Sequence, residues 1–287
     1  MLATRENIGD IKPIGWIRLL LAGKLITSGT SKPSLTKTGL KALAQPRHDV
    51  IRQLWQKWLG NNEFDEFNRI DVILGQRSKG HMTANPSRRH AINQALQKCP
   101  ANQWITLEAF SNDMQAEDLH FEITHSPWKL FLCEQKYGNF GFDGYGTWEN
   151  LQLRYILALL FEHAATLGLI DIAFRHPTNV LKDFRDLWGA DDLRWLSRYD
   201  GLRAFRINNL GAYCLGLCNE YQESTPTTTV RLQIRPNLTL QLLSETIPHA
   251  ESLLLETWAE PTGPGTWRLD PLRARDGGVL VRAGQTE

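Results

Sequence analysis

One short pattern occurs three times in this chain, and each copy ties the end of a strand to the start of a helix. The copies are Leu35-Thr36-Lys37-Thr38-Gly39-Leu40-Lys41-Ala42-Leu43, Ile207-Asn208-Asn209-Leu210-Gly211-Ala212-Tyr213-Cys214-Leu215 and Leu269-Asp270-Pro271-Leu272-Arg273-Ala274-Arg275. In each, an apolar residue closes a strand and the next residue is a good helix N-cap: Thr36, Asn208 and Asp270. Their side-chain oxygens can accept from the free N–H groups of a first helical turn. Pro271 then falls at the first helical position, where its missing N–H costs nothing. The repeat constrains architecture and carries no catalytic chemistry of its own.

Charge is distributed unevenly over the 287 residues. The formal net charge is +1, yet residues 1–60 hold ten Lys/Arg against three Asp/Glu, and residues 61–150 hold eight against twelve. A basic end on a near-neutral body suits contact with a polyanion at one place. The apolar share of 42% is ordinary for a packed core, and Trp at ten copies is high. The length suits two domains or slightly more. Cys99, Cys133, Cys214 and Cys218 follow no secretory leader, and no run of about 18 apolar residues marks a membrane span. Reduced cysteines in a cytoplasmic protein are the expectation, with Cys214 and Cys218 both on the apolar face of one helix.

Periodicity divides the chain further. Residues 16–22 read as a helix stopped at Gly23, 24–27 and 34–36 as two strands around turn chemistry at 28–33, and 37–44 as a closing helix. Val50, Ile51, Leu54, Trp55 and Trp58 lie on one face of a helix over 47–59. Residues 79–87 read as a linker, with Ser87 capping a helix that carries Ile92, Ala95, Leu96 and Cys99. Trp104-Ile105-Thr106 is a short strand whose Thr106 caps residues 107–114. An extended, β-prone stretch covers 119–136, broken by Pro127. Thr147 caps the longest helix, 148–167, apolar on most faces and therefore buried, with Gly168 as its C′ residue. Residues 170–174 and 202–207 are paired strands around a long insert with a helix at 181–197. Residues 224–229 form a polar linker, and 230–234 alternate as a half-buried strand should. The divisions are 1–60, an abbreviated basic unit; 61–86, helix and linker; 87–221, a domain with the long insert; and 222–287, a partial third α/β module.

Trp104-Ile105-Thr106, the run Leu167-Gly168-Leu169-Ile170-Asp171, the closure Phe205-Arg206-Ile207-Asn208-Asn209-Leu210-Gly211 and the strand at 230–234 together resemble bacterial helicase-associated winged-helix proteins. These are related to the N-terminal region of XPB-type helicases. The resemblance covers roughly residues 88–275 at the level of pattern. It implies a mainly α fold with small β-wings (α+β), tandem winged-helix domains, and a DNA-associated role. It also implies a protein partner such as a helicase or a defence-operon component. The chain has no G-x-x-x-x-G-K-[ST] loop, so any motor is expected on another chain or is missing.

Candidate contacts to double-stranded DNA are Lys24, Lys32, Lys37 and Lys41 on or beside the first ribbon, followed by Arg47 and Arg52. Such side chains meet a phosphate backbone without reading bases. Arg88 and Arg89 join them at a helix N-terminus, where the dipole disfavours cations unless an anion is supplied. Helix 148–167 offers few polar side chains for base reading. The competing catalytic reading is a Mg²⁺-dependent nuclease: Glu134 and Lys136 share one face of a strand at 130–136, with Asp113 or Asp118 upstream. A purely protein-docking scaffold is the third reading. His120, Glu122, His125 and Cys133 make no metal cluster, because a strand sends His125 to the opposite face from the first two. The glycine-aromatic loop 137–148 either stacks unpaired bases or plugs the core, and its lack of basic residues favours the plug. No cofactor is expected, and a non-enzymatic role is the first expectation.

Overall fold

A computed structural model of the chain describes residues 11–27, 33–77, 80–221, 231–244, 247, 252, 255, 256 and 258–270. Contacts divide the chain into two compact units, Met1–Glu223 and Ser224–Glu287. The first unit begins with α1 (Ile11–Ala22), β1 (Ile26–Thr27), β2 (Ser34–Leu35) and α2 (Lys37–Ala42). Next come α3 (Arg47–Leu59), a 3-10 turn (Glu66–Arg69), α4 (Asn85–Lys98), β3 (Trp104–Thr106) and α5 (Leu107–Ala116). A long helix follows, built as a π-helical turn (Glu149–Leu153), α6 (Arg154–Leu159) and a second π-helical turn (Leu160–Ala164). The unit closes with β4 (Ile170–Phe174), β5 (Leu202–Ile207) and α7 (Asn209–Leu215). The fold is mixed α+β with small antiparallel sheets.

The long helix is the centre of the first unit. Its residues from Leu153 to Ala164 are all buried, and α1 and the 3-10 turn pack against it. An apolar helix without a solvent face must be covered on every side, and its neighbours do this. One hydrophobic core runs from Ile11 to Leu215 and includes Trp55, Trp58, Phe110, Leu157 and Phe205.

The repeated sequence pattern is a repeated three-dimensional corner. At the end of α1, Leu25 N–H reaches back to Leu20 O (2.9 Å), with Lys24 at φ 56°. At the end of the long helix, Leu169 N–H reaches Ala164 O (3.0 Å), with Gly168 at φ +74°. This is the helix-ending turn that a left-handed residue permits. Two strands then pair, Ile26 opposite Leu35 and Ile170 opposite Ile207. The caps match as well: Thr36 Oγ1 accepts from Gly39 N at 2.9 Å and Asn208 Oδ1 from Gly211 N at 3.0 Å. A Cβ on Gly39 would run into the Leu25 carbonyl, and one on Gly211 into the Leu169 carbonyl, so each corner needs glycine there. Thr106 caps α5 in the same manner, accepting from Ala109 N at 3.1 Å.

Among its described residues the second unit holds one sheet, β6 (Leu232–Ile234), β7 (Thr239–Leu242), β8 (Ala259–Gly263) and β9 (Thr266–Leu269), in the order β6-β7-β9-β8. Leu240, Leu255, Ala259 and Trp267 form its core. Here Ala259 pairs with Leu269, and Asp270 N–H bonds Trp258 O at 2.9 Å, as Thr36 N–H bonds Leu25 O and Asn208 N–H bonds Leu169 O. The expected helix after Asp270 lies outside the described residues.

Several local expectations give way to tertiary packing. No helix forms over 181–197; the segment is a series of turns that buries Phe184, Leu187, Ala190 and Leu196 one by one. Gly189 sits at φ +85°, and the Asp200 carboxylate takes the N–H groups of Leu196 and Ser197 away from a helical ladder. The stretch 119–136 makes isolated bridges instead of a strand, interrupted by a 3-10 turn at Pro127–Lys129. Helix α4 starts at Asn85, ahead of the expected Ser87 cap, with Pro in its first turn. The long helix begins in a π-helical turn without a side-chain cap from Thr147. Cys214 is buried, whereas Cys218 lies beyond α7 and is exposed.

Candidate nucleic-acid interface

The basic residues of the first sixty divide by what already occupies them. Lys24, Lys37, Lys41 and Arg47 are exposed. Lys24 is held in place through its backbone, because its carbonyl accepts the Thr36 hydroxyl at 2.7 Å. Lys37 opens α2 and Lys41 follows one turn later, so the two share a flank of that helix. Arg47 opens α3. Arg52 is half-buried, its guanidinium 4.8 Å from the centre of the Tyr213 ring. The Tyr213 hydroxyl in turn donates to Asp49. Lys32 lies outside the described residues.

Arg88 and Arg89, expected at the surface, are instead both fully buried and carry internal carboxylates in place of an outside phosphate. Arg88 Nη1 donates to both oxygens of Asp65, at 2.9 and 3.0 Å. Arg89 Nε donates to Glu66 Oε1 at 2.8 Å, and Nη1 reaches the Trp58 carbonyl at 2.6 Å. The partner anion that a helix N-terminus full of arginine demanded is supplied by the chain itself, from the 3-10 turn and the residue before it.

That pair belongs to a buried polar cluster which the sequence reading missed. Glu66 also accepts from Trp58 Nε1 (3.0 Å) and the Tyr155 hydroxyl (2.7 Å). One helical face away, Glu162 accepts from Arg69 Nε (2.6 Å), from the Tyr199 hydroxyl and from Arg18 Nη1 (3.4 Å). His163, beside it in the second π-helical turn, stacks on Trp58 with ring centres 4.0 Å apart. Its Nδ1 is 3.6 Å from Glu66 Oε1, and neither ring nitrogen makes a hydrogen bond. Burial pushes the His163 pKa down to about 3, so the ring is neutral at physiological pH. Burial alone would raise the Glu66 pKa, but Arg89 and the hydrogen bonds to the carboxylate outweigh it and leave it below the ordinary value. Arg154, likewise buried, pairs with Asp183 (2.6 Å) and Asp200 (3.2 Å). The signal was present in the sequence: Arg154, Glu162 and His163 interrupt a helix that is otherwise apolar all round, and such residues need internal partners.

The E-x-K reading loses its geometry. Glu134 and Lys136 lie in exposed turns, outside any strand. Lys136 Nζ sits 4.9 Å above the Tyr137 ring, and Asp118 is an exposed residue at φ 53° beside His120. The period-two alternation that would place Glu134 and Lys136 together is absent. Among the described residues, no group of three His, Cys, Asp or Glu side chains is placed to hold a metal ion. The glycine-aromatic loop divides its aromatics: Phe140 is buried in the core, whereas Tyr137 and Phe142 are exposed. Among the described residues no helix is long and apolar enough to cross a membrane.

No protein-family model matches the chain, and no curated protein or solved structure shows significant similarity to it.

Proposed function

We propose that the chain is a non-enzymatic, DNA-associated adaptor of the cytoplasm, built on winged-helix units, whose basic first ribbon lies against the phosphate backbone of duplex DNA. The order helix, strand, helix, helix, strand, strand, helix over 85–215, with sheet order β3-β5-β4, supports the winged-helix reading. The observation that carries the functional reading is the charge of the first ribbon and its flanks. No Asp or Glu lies between Asp10 and Asp49, a stretch that holds Lys12, Arg18, Lys24, Lys32, Lys37, Lys41 and Arg47. Lys24, Lys37, Lys41 and Arg47 are exposed there without a carboxylate partner in the same stretch. In this reading an adaptor joins the duplex to a protein such as a helicase.

The mode of contact follows from burial. The long helix occupies the place of a base-reading helix, and it is enclosed. Contact therefore falls to lysines on phosphates, which is sequence-independent and steeply salt-dependent. Titration of a fluorescent duplex with the purified chain tests this. The triple substitution Lys24→Ala, Lys37→Ala, Lys41→Ala is expected to lower affinity and flatten the salt dependence together. Unchanged affinity, or affinity indifferent to salt, removes the reading.

A further inference from the structure

Phe140 anchors the glycine-aromatic loop in the core, and the chain around it is tied into a knob from Trp128 to Phe142. Phe131 bridges to Leu74 on one side and to Asn139 on the other. Phe140 N–H donates to Leu130 O at 2.9 Å, and Gly138 N–H to Glu134 O at 3.0 Å. The buried Asn139 side chain donates to Gln135 O (2.8 Å) and accepts from Gly141 N (3.0 Å).

This braced knob holds its other aromatics outward. Trp128, Tyr137 and Phe142 are 54, 49 and 40% exposed, and Trp188 of the insert is 55% exposed beside them. Ring centres lie 5.3 Å apart for Trp128 and Phe142 and 6.1 Å apart for Tyr137 and Trp188. Each tryptophan rests on a glycine of the loop. A Cβ on Gly141 would run into Cγ, Cδ2 and Cε2 of Trp128, so one face of that indole lies on bare backbone and the other is open. A Cβ on Gly138 would crowd Trp188 Cδ1 at 3.3 Å. The two glycines are three positions apart, so at most about 11 Å separates the two seats. The indole N–H groups of Trp55, Trp58 and Trp148 find acceptors inside the protein, whereas those of Trp128 and Trp188 find none among the described residues.

The loop has no cation of its own, and neighbouring residues supply them. Lys136 Nζ lies 4.9 Å from the centre of the Tyr137 ring, and Lys129 is exposed directly after Trp128. Neither lysine has a carboxylate partner among the described residues. Glu134 and Asp143 are exposed on the same knob, so its net charge is small and stacking must carry most of the binding. Open ring faces interleaved with lysines are the means by which single strands are held. Protein-binding patches are depleted in lysine, and a duplex keeps its base faces covered by its own stacking.

We infer that the surface from Trp128 to Trp188 is a stacking platform for the unpaired bases of single-stranded nucleic acid. It uses none of the first-ribbon lysines and stands apart from the duplex reading.

The probe is a fluorescein-labelled oligothymidine of about twelve nucleotides, titrated with the full chain beside a strand of equal length that lacks its bases. The oligothymidine is expected to bind about 10-fold or more tighter than the abasic strand. With two lysines engaged, log K should fall against log salt with a slope of only about −1 to −2. Trp128→Ala and Trp188→Ala are each expected to weaken binding about 5-fold or more, and Trp128→Tyr, which keeps a ring on the seat, to weaken it less. Both tryptophans lie at the surface, so these variants should keep the circular dichroism and duplex affinity of the parent. No binding at about 100 μM chain, equal binding of the abasic strand, or binding indifferent to both alanines overturns the inference. A proline-rich peptide or a neutral oligosaccharide that binds through Trp128 and Trp188 while oligothymidine does not also overturns it. Loss of duplex binding in Lys24→Ala, Lys37→Ala, Lys41→Ala with oligothymidine binding intact separates this inference from the phosphate reading.

Discussion

His163 carries a full imidazole into a site where it can form no hydrogen bond, and it is tolerated because it stays neutral and stacks on Trp58. The linkage has a definite sign. A base whose folded pKa is about 3, against an ordinary value of 6.5, binds its proton in the unfolded chain first. Its contribution is fully present above about pH 6.5 and is lost as pH falls toward the folded value. Denaturant unfolding is expected to show about 2 kcal/mol less stability at pH 5 than at pH 7 from this group, above the range where ordinary carboxylates titrate. His163→Phe, which keeps the ring stack, is expected to remove that loss. Glu66 is the second residue to test. Glu66→Gln leaves Arg89 buried without its counter-charge, and a cost of about 3–5 kcal/mol in chemical denaturation is expected. An effect below about 1 kcal/mol would mean that water or another carboxylate reaches Arg89.

At the scale of elements, the strand–cap–helix corner is the part of the fold most directly written in residue order. Thr36, Thr106 and Asn208 all cap as their spacing predicts, because a cap needs only a short oxygen-bearing side chain next to a turn. Asn208→Ala is expected to cost about 1–2 kcal/mol by thermal or denaturant unfolding, since the side chain also donates to the Gly168 carbonyl. Thr36→Ala is expected to cost about 1 kcal/mol, because the corner it holds is more exposed. Elements held by distant partners were less legible. The segment 181–197 has helical spacing but folds as turns, since Asp200, Cys133 and Arg154 all claim parts of it. The strand expected through Glu134 and Lys136 fails for a related reason. Phe131 is drawn to two different neighbours, Leu74 and Asn139, and no continuous ladder survives.

For the molecule as a whole, the distribution of exposed charge decides what a polyanion would meet. With Arg88 and Arg89 buried, the proposed contact falls to the exposed cations at the first ribbon and its flanks, and in that reading it is to phosphate alone. Two duplexes of unrelated sequence are expected to bind within about twofold of each other. With about four phosphate contacts, log K should fall against log salt with a slope of about −3 to −4. Fluorescence anisotropy at several salt concentrations checks both. A strong preference for one sequence would mean that a surface other than the first ribbon reads bases.

Residue order alone was enough for the first two corners and the strand end of the third, the helix over 47–59, the burial of the long helix and the basic first segment. These depend on neighbours within a few positions: a cap oxygen, a left-handed glycine, an apolar period of 3.6. Only tertiary structure decided which arginines are available. Arg88 and Arg89 look like surface cations until residues some twenty positions earlier bring Asp65 and Glu66 against them. The same holds for Leu35, Leu40 and Leu43, whose equivalents in the second corner lie on β5 and α7, where β3, α3 and α4, a hundred residues or more earlier in the chain, pack against them. A burial partner that is distant in sequence leaves no trace in local spacing, because desolvation is set by whatever packs nearby in space.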